Sequence, residues 1–260
     1  MSHVFVVCAY KRSPYLEECI QSLMKQSVPV KVMLATSTPN EHIQRLCEKY
    51  QISCYVNEGK SGLASDWNFA YKLAKADYVT LAHQDDLYEP DYAKTVIAMM
   101  KKTKHPLIAF TDYYEYRGGQ KVYDNRNLKI KRLMLWPLHW PALQQSRFIR
   151  RRILSLGNPI CCPSVTYARR NLPKTLFQND FASNTDWQTW ETLSKKPGRF
   201  IYIDEPLMSH RIHRESTTTE IIEDKRRQKE DIEILKKFWP EFIAKWIEKI
   251  YSKSEKSNDV

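Results

Sequence analysis

Apolar and polar positions follow two periods in alternation along the first 115 residues. H-V-F-V-V-C-A (3–9) is a near-continuous apolar run, as expected of a strand buried on both faces of a parallel sheet. Ser13-Pro14 then opens a helical pattern, with Ser13 as N-cap, proline at the first position and Glu17 and Glu18 in the first turn. Leu16, Ile20, Leu23 and Met24 recur at helical spacing behind it. V-K-V-M-L-A (30–35) predicts a second strand, Thr38-Pro39-Asn40-Glu41 the start of a second helix, and I-S-C-Y-V (52–56) a third strand. A helix over 63–75 and a strand over 78–82 complete the series. This alternation with short connections predicts a doubly wound α/β sheet, because parallel strands need crossovers.

The second half is less regular. A helix after Pro90, a strand over 106–117, and a basic helical stretch interrupted by Pro137 and Pro141 and ended by G-N-P (157–159) lead to a strand over 162–168. N-T-D-W-Q-T-W-E-T-L-S (184–194) reads as a helix with Asp186 in its first turn, and R-F-I-Y-I-D (199–204) as a late strand. From 218 to 252 the pattern is helical and charge-balanced, split at Pro240.

A hydrophobic content of 42% and a charged content of 27% are those of a water-soluble globular chain, and no apolar run approaches the ~20 residues that span a bilayer. The first residues lack the basic and long apolar regions of a secretory signal, so the expected location is cytoplasmic, at most against the inner face of the membrane. The six cysteines have no ligand spacing; Cys8 and Cys54 read as small core hydrophobes in strands. The net charge of +11 is unevenly placed: from residue 125 to residue 179 there is no acid, and eleven basic residues stand there. Such a segment attracts phosphates on a nucleotide, a lipid head group or a nucleic acid.

The polar features of the first half fall at predicted strand ends, where ligands of α/β sheets bind. Asp85 and Asp86 end the strand over 78–82, and two carboxylates at close range repel unless a cation or proton intervenes. A hard divalent ion that keeps positions for phosphate oxygens satisfies them, and a solvated turn is the alternative.

These residues carry a resemblance. V-F-V-V-C-A-Y-K-R-S-P-Y-L-E-E-C-I-Q-S-L resembles the opening of the family-2 glycosyltransferases. N-E-G-K-S-G-L-A-S-D-W-N-F-A-Y-K-L-A-K-A-D-Y-V-T-L-A-H-Q-D-D-L-Y-E-P is similar to the family's N-x-G…A…N…A…D-Y-I…D-D…P pattern, and N-T-D-W-Q-T-W to its catalytic-base segment. The resemblance implies a GT-A fold, a mixed, mostly parallel sheet flanked by helices. Residues 1–115 would bind the donor, 116–217 would hold the acceptor and base within the same domain, and 218–260 would be a helical extension.

The implied reaction is the inverting transfer of a hexose or N-acetylhexosamine from a UDP-sugar to a glycan hydroxyl. The implied cofactor is Mn²⁺ or Mg²⁺ at Asp86, with His213 as a second metal contact, and Asp186 is the implied general base. The implied donor-binding set is Ala9, Tyr10, Arg12, Thr36, Asn57, Gly62, Asn68, Gln84, Asp85 and Arg211; Trp187 and Trp190 are the expected acceptor-stacking rings.

His83 departs from the pattern, which often has an acid there, and Thr185 stands where relatives carry Glu. After the second strand L-A-T-S-T-P offers only hydroxyls for the base. W-P-L-H-W-P (136–141) reads as acceptor wall, membrane-interface element or core, core being the simplest. Expected partners are the UDP-sugar and a glycan acceptor, not nucleic acid, with a peripheral membrane contact and self-association through the C-terminal helices left open. The alternatives are nucleic-acid binding by the 125–174 stretch and nucleotidyl transfer. The second is disfavoured because C-A-Y-K-R-S-P has no glycine.

Overall fold

The computed structural model describes residues 2–60, 62–213 and 226–255. Strands β1 (His3–Ala9), β2 (Lys31–Thr36), β3 (Ser53–Val56) and β4 (Tyr78–His83) pair in parallel in the order β3-β2-β1-β4. Their crossovers carry α1 (Leu16–Met24), α2 (Glu41–Lys49) and α3 (Leu63–Leu73). The short β5 (Leu87–Tyr88), α4 (Tyr92–Lys102), β6 (Pro106–Arg117), β7 (Gln120–Val122), α5 (Arg126–Leu135), α6 (Arg147–Ile153), β8 (Val165–Ala168), α7 (Thr185–Ser194) and β9 (Arg199–Ile212) follow. One mixed sheet results, β3-β2-β1-β4-β8-β6-β9-β5, with β7 on β6. β8 runs antiparallel to both β4 and β6, so β6 and its parallel neighbour β9 point the same way as β1 to β4.

Strand alternation divides the core. Phe5 and Val7 face α1, α2 and α4, while Val4 and Val6 face Trp67 and Tyr71 of α3 and the tryptophans of α7. Asn40 caps α2, its Oδ1 accepting from Ile43 N–H at 3.1 Å. Ser13 does not cap α1; its hydroxyl accepts from Tyr15 N–H at 3.2 Å in a turn that precedes the helix. Cys54 is exposed, because β3 lies at the sheet edge.

β9 extends eight residues beyond the predicted strand. The residues Asp204 and Glu205 bulge out between Ile203, opposite Thr111, and Pro206, opposite Asp112, and pairing then resumes to Ile212. A proline inside the run reads as a stop, but the bulge absorbs its missing N–H.

The C-terminal helices α8 (Arg226–Leu235) and α9 (Glu241–Glu255) belong to the same core, which buries Ile234, Leu235, Ala244 and Ile247. Tyr251 of α9 lies over Gly157, where φ is +155° and an added Cβ would stand 2.7 Å from the ring. Only glycine fits there. Among the described residues no helix is long and apolar enough to cross a membrane.

Candidate active site

After β3 the chain passes to the other side of β1 to form β4, so the sheet has a switch point between these two strands. Gln84 bridges it, accepting from Tyr10 N–H and donating to Tyr10 C=O, both at 3.0 Å. Next to it Lys11 sits at φ +54°, held by donation of its N–H to Thr38 Oγ1 at 2.5 Å. A non-glycine residue in that region is strained, and the strain is held at the mouth of the crevice.

Asp86 is fully buried. Its Oδ1 accepts the main-chain N–H of Arg211 at 2.9 Å and lies 3.3 Å from His210 Nδ1, while Oδ2 is buried with no hydrogen-bond partner among the described residues. Burial disfavours a charged His210, yet the Asp86 carboxylate more than offsets this and raises its pKa. Asp85 Oδ2 lies 3.0 Å from His213 Nε2. Burial pushes the Asp85 carboxyl up, but the His213 hydrogen bond and the imidazoles of His83, His210 and His213 bring it below the usual carboxylate range. Arg211 closes the group: its Nε donates to Asp85 C=O at 2.8 Å and its Nη2 to Glu18 Oε2 at 2.6 Å, between the rings of Tyr15 and Tyr116.

Asp186 stands apart from this charged group. Trp187 N–H donates to its Oδ1 and Asn158 Nδ2 to its Oδ2, both at 2.7 Å. Burial outweighs these bonds and raises its pKa. The Cys161 and Cys162 thiols, pushed up first by burial, also feel the charges of both Asp86 and Asp186, so the two centres flank one segment. His83 acts on both Asp85 and Asp186, stacks on Trp67 at 5.2 Å, and keeps a buried Nε2 without a hydrogen-bond partner among the described residues. The loop before α7 is held by α8: Glu230 accepts from the N–H groups of Ala182, Ser183 and Asn184 at 2.7 to 3.0 Å.

The sequence model of glycosyl transferase family 2 matches residues 4–177. The chain belongs to that family. Among curated proteins it resembles the glycosyltransferases GlyG (23% identical over 117 residues) and GlyA (22% over 139 residues) of Streptococcus pneumoniae serotype 4. The matches cover 43% and 46% of this chain but only 38% and 20% of those relatives. Among solved structures it is similar to S. aureus TarS 1–349 in complex with UDP-GlcNAc, with a TM-score of 0.62 and 17% identity over 95% of this chain and 70% of that one. It is also similar to the mannosyltransferase PcManGT of Pyrobaculum calidifontis in complex with GDP-Man and Mn²⁺, with a TM-score of 0.65 and 15% identity over 98% and 70%. These likenesses show the GT-A fold of a glycosyltransferase.

Within this family-2 chain, Ala9, Tyr10, Thr36, Gln84, Asp85, Asp86, Arg211 and His213 gather at the carboxyl ends of β1, β2, β4 and β9. Asn57 ends β3, with its N–H on Thr36 C=O at 2.8 Å, while Gly62 precedes α3 and Arg12 is exposed on the turn after β1. His213 meets Asp85, and it is His210 that meets Asp86. Asn68 does not join this cluster. It is buried, and its amide donates to Phe177 C=O and accepts from Leu176 and Phe177 N–H, pinning that loop. Trp187 and Trp190 are fully buried too, Trp187 Nε1 donating to Leu154 C=O, so neither ring can stack on a sugar. At helical spacing a tryptophan belongs to the core unless the helix face is exposed. Conversely, Trp136 and Trp140 are exposed and only Leu138 between them is core.

Four residues escaped the sequence reading. Asp66, in the first turn of α3, accepts from Ser37 Oγ at 2.8 Å and Asn57 Nδ2 at 2.7 Å, placing a carboxylate at the ends of β2 and β3. A polar residue opening a helix toward a strand end was its signal. His210 was hidden by the expectation that β9 had ended, Asn158 by its reading as a helix stop, and Glu18 by its reading as a helix-dipole partner.

Proposed function

We propose that the chain transfers a hexose or N-acetylhexosamine from a UDP-sugar to a hydroxyl of a glycan acceptor with inversion at the anomeric carbon. The observation that carries this reading is the buried, unpartnered Oδ2 of Asp86 beside the anionic Asp85. An orphaned carboxylate oxygen suits a divalent cation. Among the described residues no group of three or more His, Cys, Asp or Glu could hold a metal. A sparse protein set of this kind fits Mn²⁺ or Mg²⁺ that takes its remaining ligands from phosphate oxygens and water. When bound, the ion would neutralise the charge developing on the departing diphosphate.

The chain's own residues supply the rest. Asp85 suits a ribose hydroxyl, and Asp66 supplies the carboxylate that the L-A-T-S-T-P turn lacks, accepting from the imide N–H of uracil. Arg211 brings positive charge to the phosphate end. The acceptor oxygen attacks the anomeric carbon, the bond from that carbon to the phosphate oxygen breaks with its electron pair leaving on UDP, and Asp186 takes the acceptor proton. Its raised pKa makes it a stronger base than a solvated aspartate. A base from the solved relatives' donor classes is decided by hydrolysis of a nucleotide-sugar panel with Mn²⁺, which needs no acceptor. UDP-sugar turnover is expected; turnover of GDP-mannose alone would overturn the uracil assignment.

A further inference from the structure

Ile130 and Leu133 follow each other at three-residue spacing on α5, and Trp136 and Trp140 continue the line through the turn after it, their rings meeting edge-on at 4.4 Å. All four are exposed, Leu133 at 73% and Trp136 at 57%. Phe148 of α6, 67% exposed, adds a further ring, with the Arg152 guanidinium 5.5 Å above it. Exposed Arg126, Lys129, Arg147 and Arg152 stand among these groups.

The acids of neighbouring elements engage other cations of the segment. Asp112 pairs with Arg132, Glu191 with Arg151 and Asp77 with Arg170, while Asp204 faces His139. Lys129 meets only the exposed Asp124, and Arg126 and Arg147 have no ion-pair partner among the described residues. The outward charge is therefore mainly positive, with Asp124 and Asp204 as exposed acids beside it. The exposed stripe of α9 differs: Phe242, Trp246 and Ile250 are interleaved with Glu241, Lys245, Glu248 and Lys249, a balanced pattern.

We propose that the face formed by α5, the turns after it and α6 docks on an anionic lipid bilayer. Indole rings settle at head-group level, aliphatic side chains reach the acyl boundary, and arginines flank them to meet lipid phosphates. The same segment reaches Asn158, which holds Asp186, so bilayer and base are tied to one short stretch of chain. The docking does not depend on which sugar is transferred.

The test is co-sedimentation of the purified chain with phosphatidylcholine vesicles, with and without phosphatidylglycerol. Binding to the anionic vesicles alone is expected, weakening as salt is raised. Arg126→Gln and Arg147→Gln should each weaken it roughly fivefold. Trp136→Ala with Trp140→Ala should abolish it, and Phe242→Ala with Trp246→Ala should leave it unchanged. Donor hydrolysis without vesicles and the melting temperature should match the parent chain in the arginine variants, so they still report should the tryptophan variant fail to fold. Equal binding to neutral vesicles, no binding to either, or undiminished binding by the arginine variants overturns the proposal. So does a mass change by light scattering in the Trp136/Trp140 variant that binds vesicles as before, since that marks a contact with a second copy.

Discussion

Asp85 and Asp186 are tuned in opposite senses. Asp86 is locked by a main-chain N–H and an imidazole, and Asp85 beside it is drawn below its ordinary pKa by histidines despite burial. Asp186 has two hydrogen bonds of its own, yet burial prevails and its pKa rises. Imidazole neighbours favour the anionic form of Asp85, the first of the two. With fewer of them, the second becomes the better proton acceptor. The residue type is the same; the charge around it assigns the role.

That contrast can be broken by mutation. Asp86→Asn should cost the most, on the order of 10³-fold in metal-dependent release of nucleoside diphosphate, because it removes the charge proposed to hold the ion. A variant retaining full activity sinks the cation assignment. Asp186→Asn should lower transfer to acceptor by roughly 10²–10⁴-fold while donor affinity by calorimetry stays unchanged, since the proposed base acts on the acceptor hydroxyl. Equal losses in affinity and transfer would place Asp186 in the donor site.

The pH dependence sharpens the comparison further. The base works ionised, so transfer is complete above its raised pKa and falls about tenfold per unit below it, with the acid limb above the ordinary aspartate value of about 3.9. The Asn158 hydrogen bond favours the carboxylate, so Asn158→Ala should move that limb upward. A downward move refutes this arrangement. Asn68→Ala should have the smallest effect on chemistry. Loss of its buried hydrogen bonds to Leu176 and Phe177 should cost about 2–4 kcal/mol in denaturant unfolding with the donor KM unchanged. A raised donor KM at intact stability would return Asn68 to the donor site.

Local pattern was legible where local forces decide. The apolar run of β1, the start of α2 after Thr38-Pro39-Asn40 and the paired carboxylates after β4 each depend on neighbours within a few residues, and each lies where its pattern predicts. Roles set across the chain were not legible. The pairing of His210 with Asp86 spans 124 residues and needs β9 to resume after a bulge. Asp66 acquires its place from Ser37, 29 residues away, and the loop before Asp186 is held by Glu230 of a helix outside the family pattern. Trp187 and Trp190 show the same limit: periodicity put them on a helix beside the base, but only the packing of α7 against β8 and α9 put their rings in the core.

The sequence by itself determined the alternation of strands and helices, the place of the carboxylates at strand ends and the membership of the family, because propensity, caps and apolar period act over a few residues. Only the tertiary structure decided which carboxylate carries an unpartnered oxygen, which one has its pKa raised by burial, and which tryptophans face outward. Those properties depend on desolvation and on charges brought together from distant strands, and neither exists until the sheet closes.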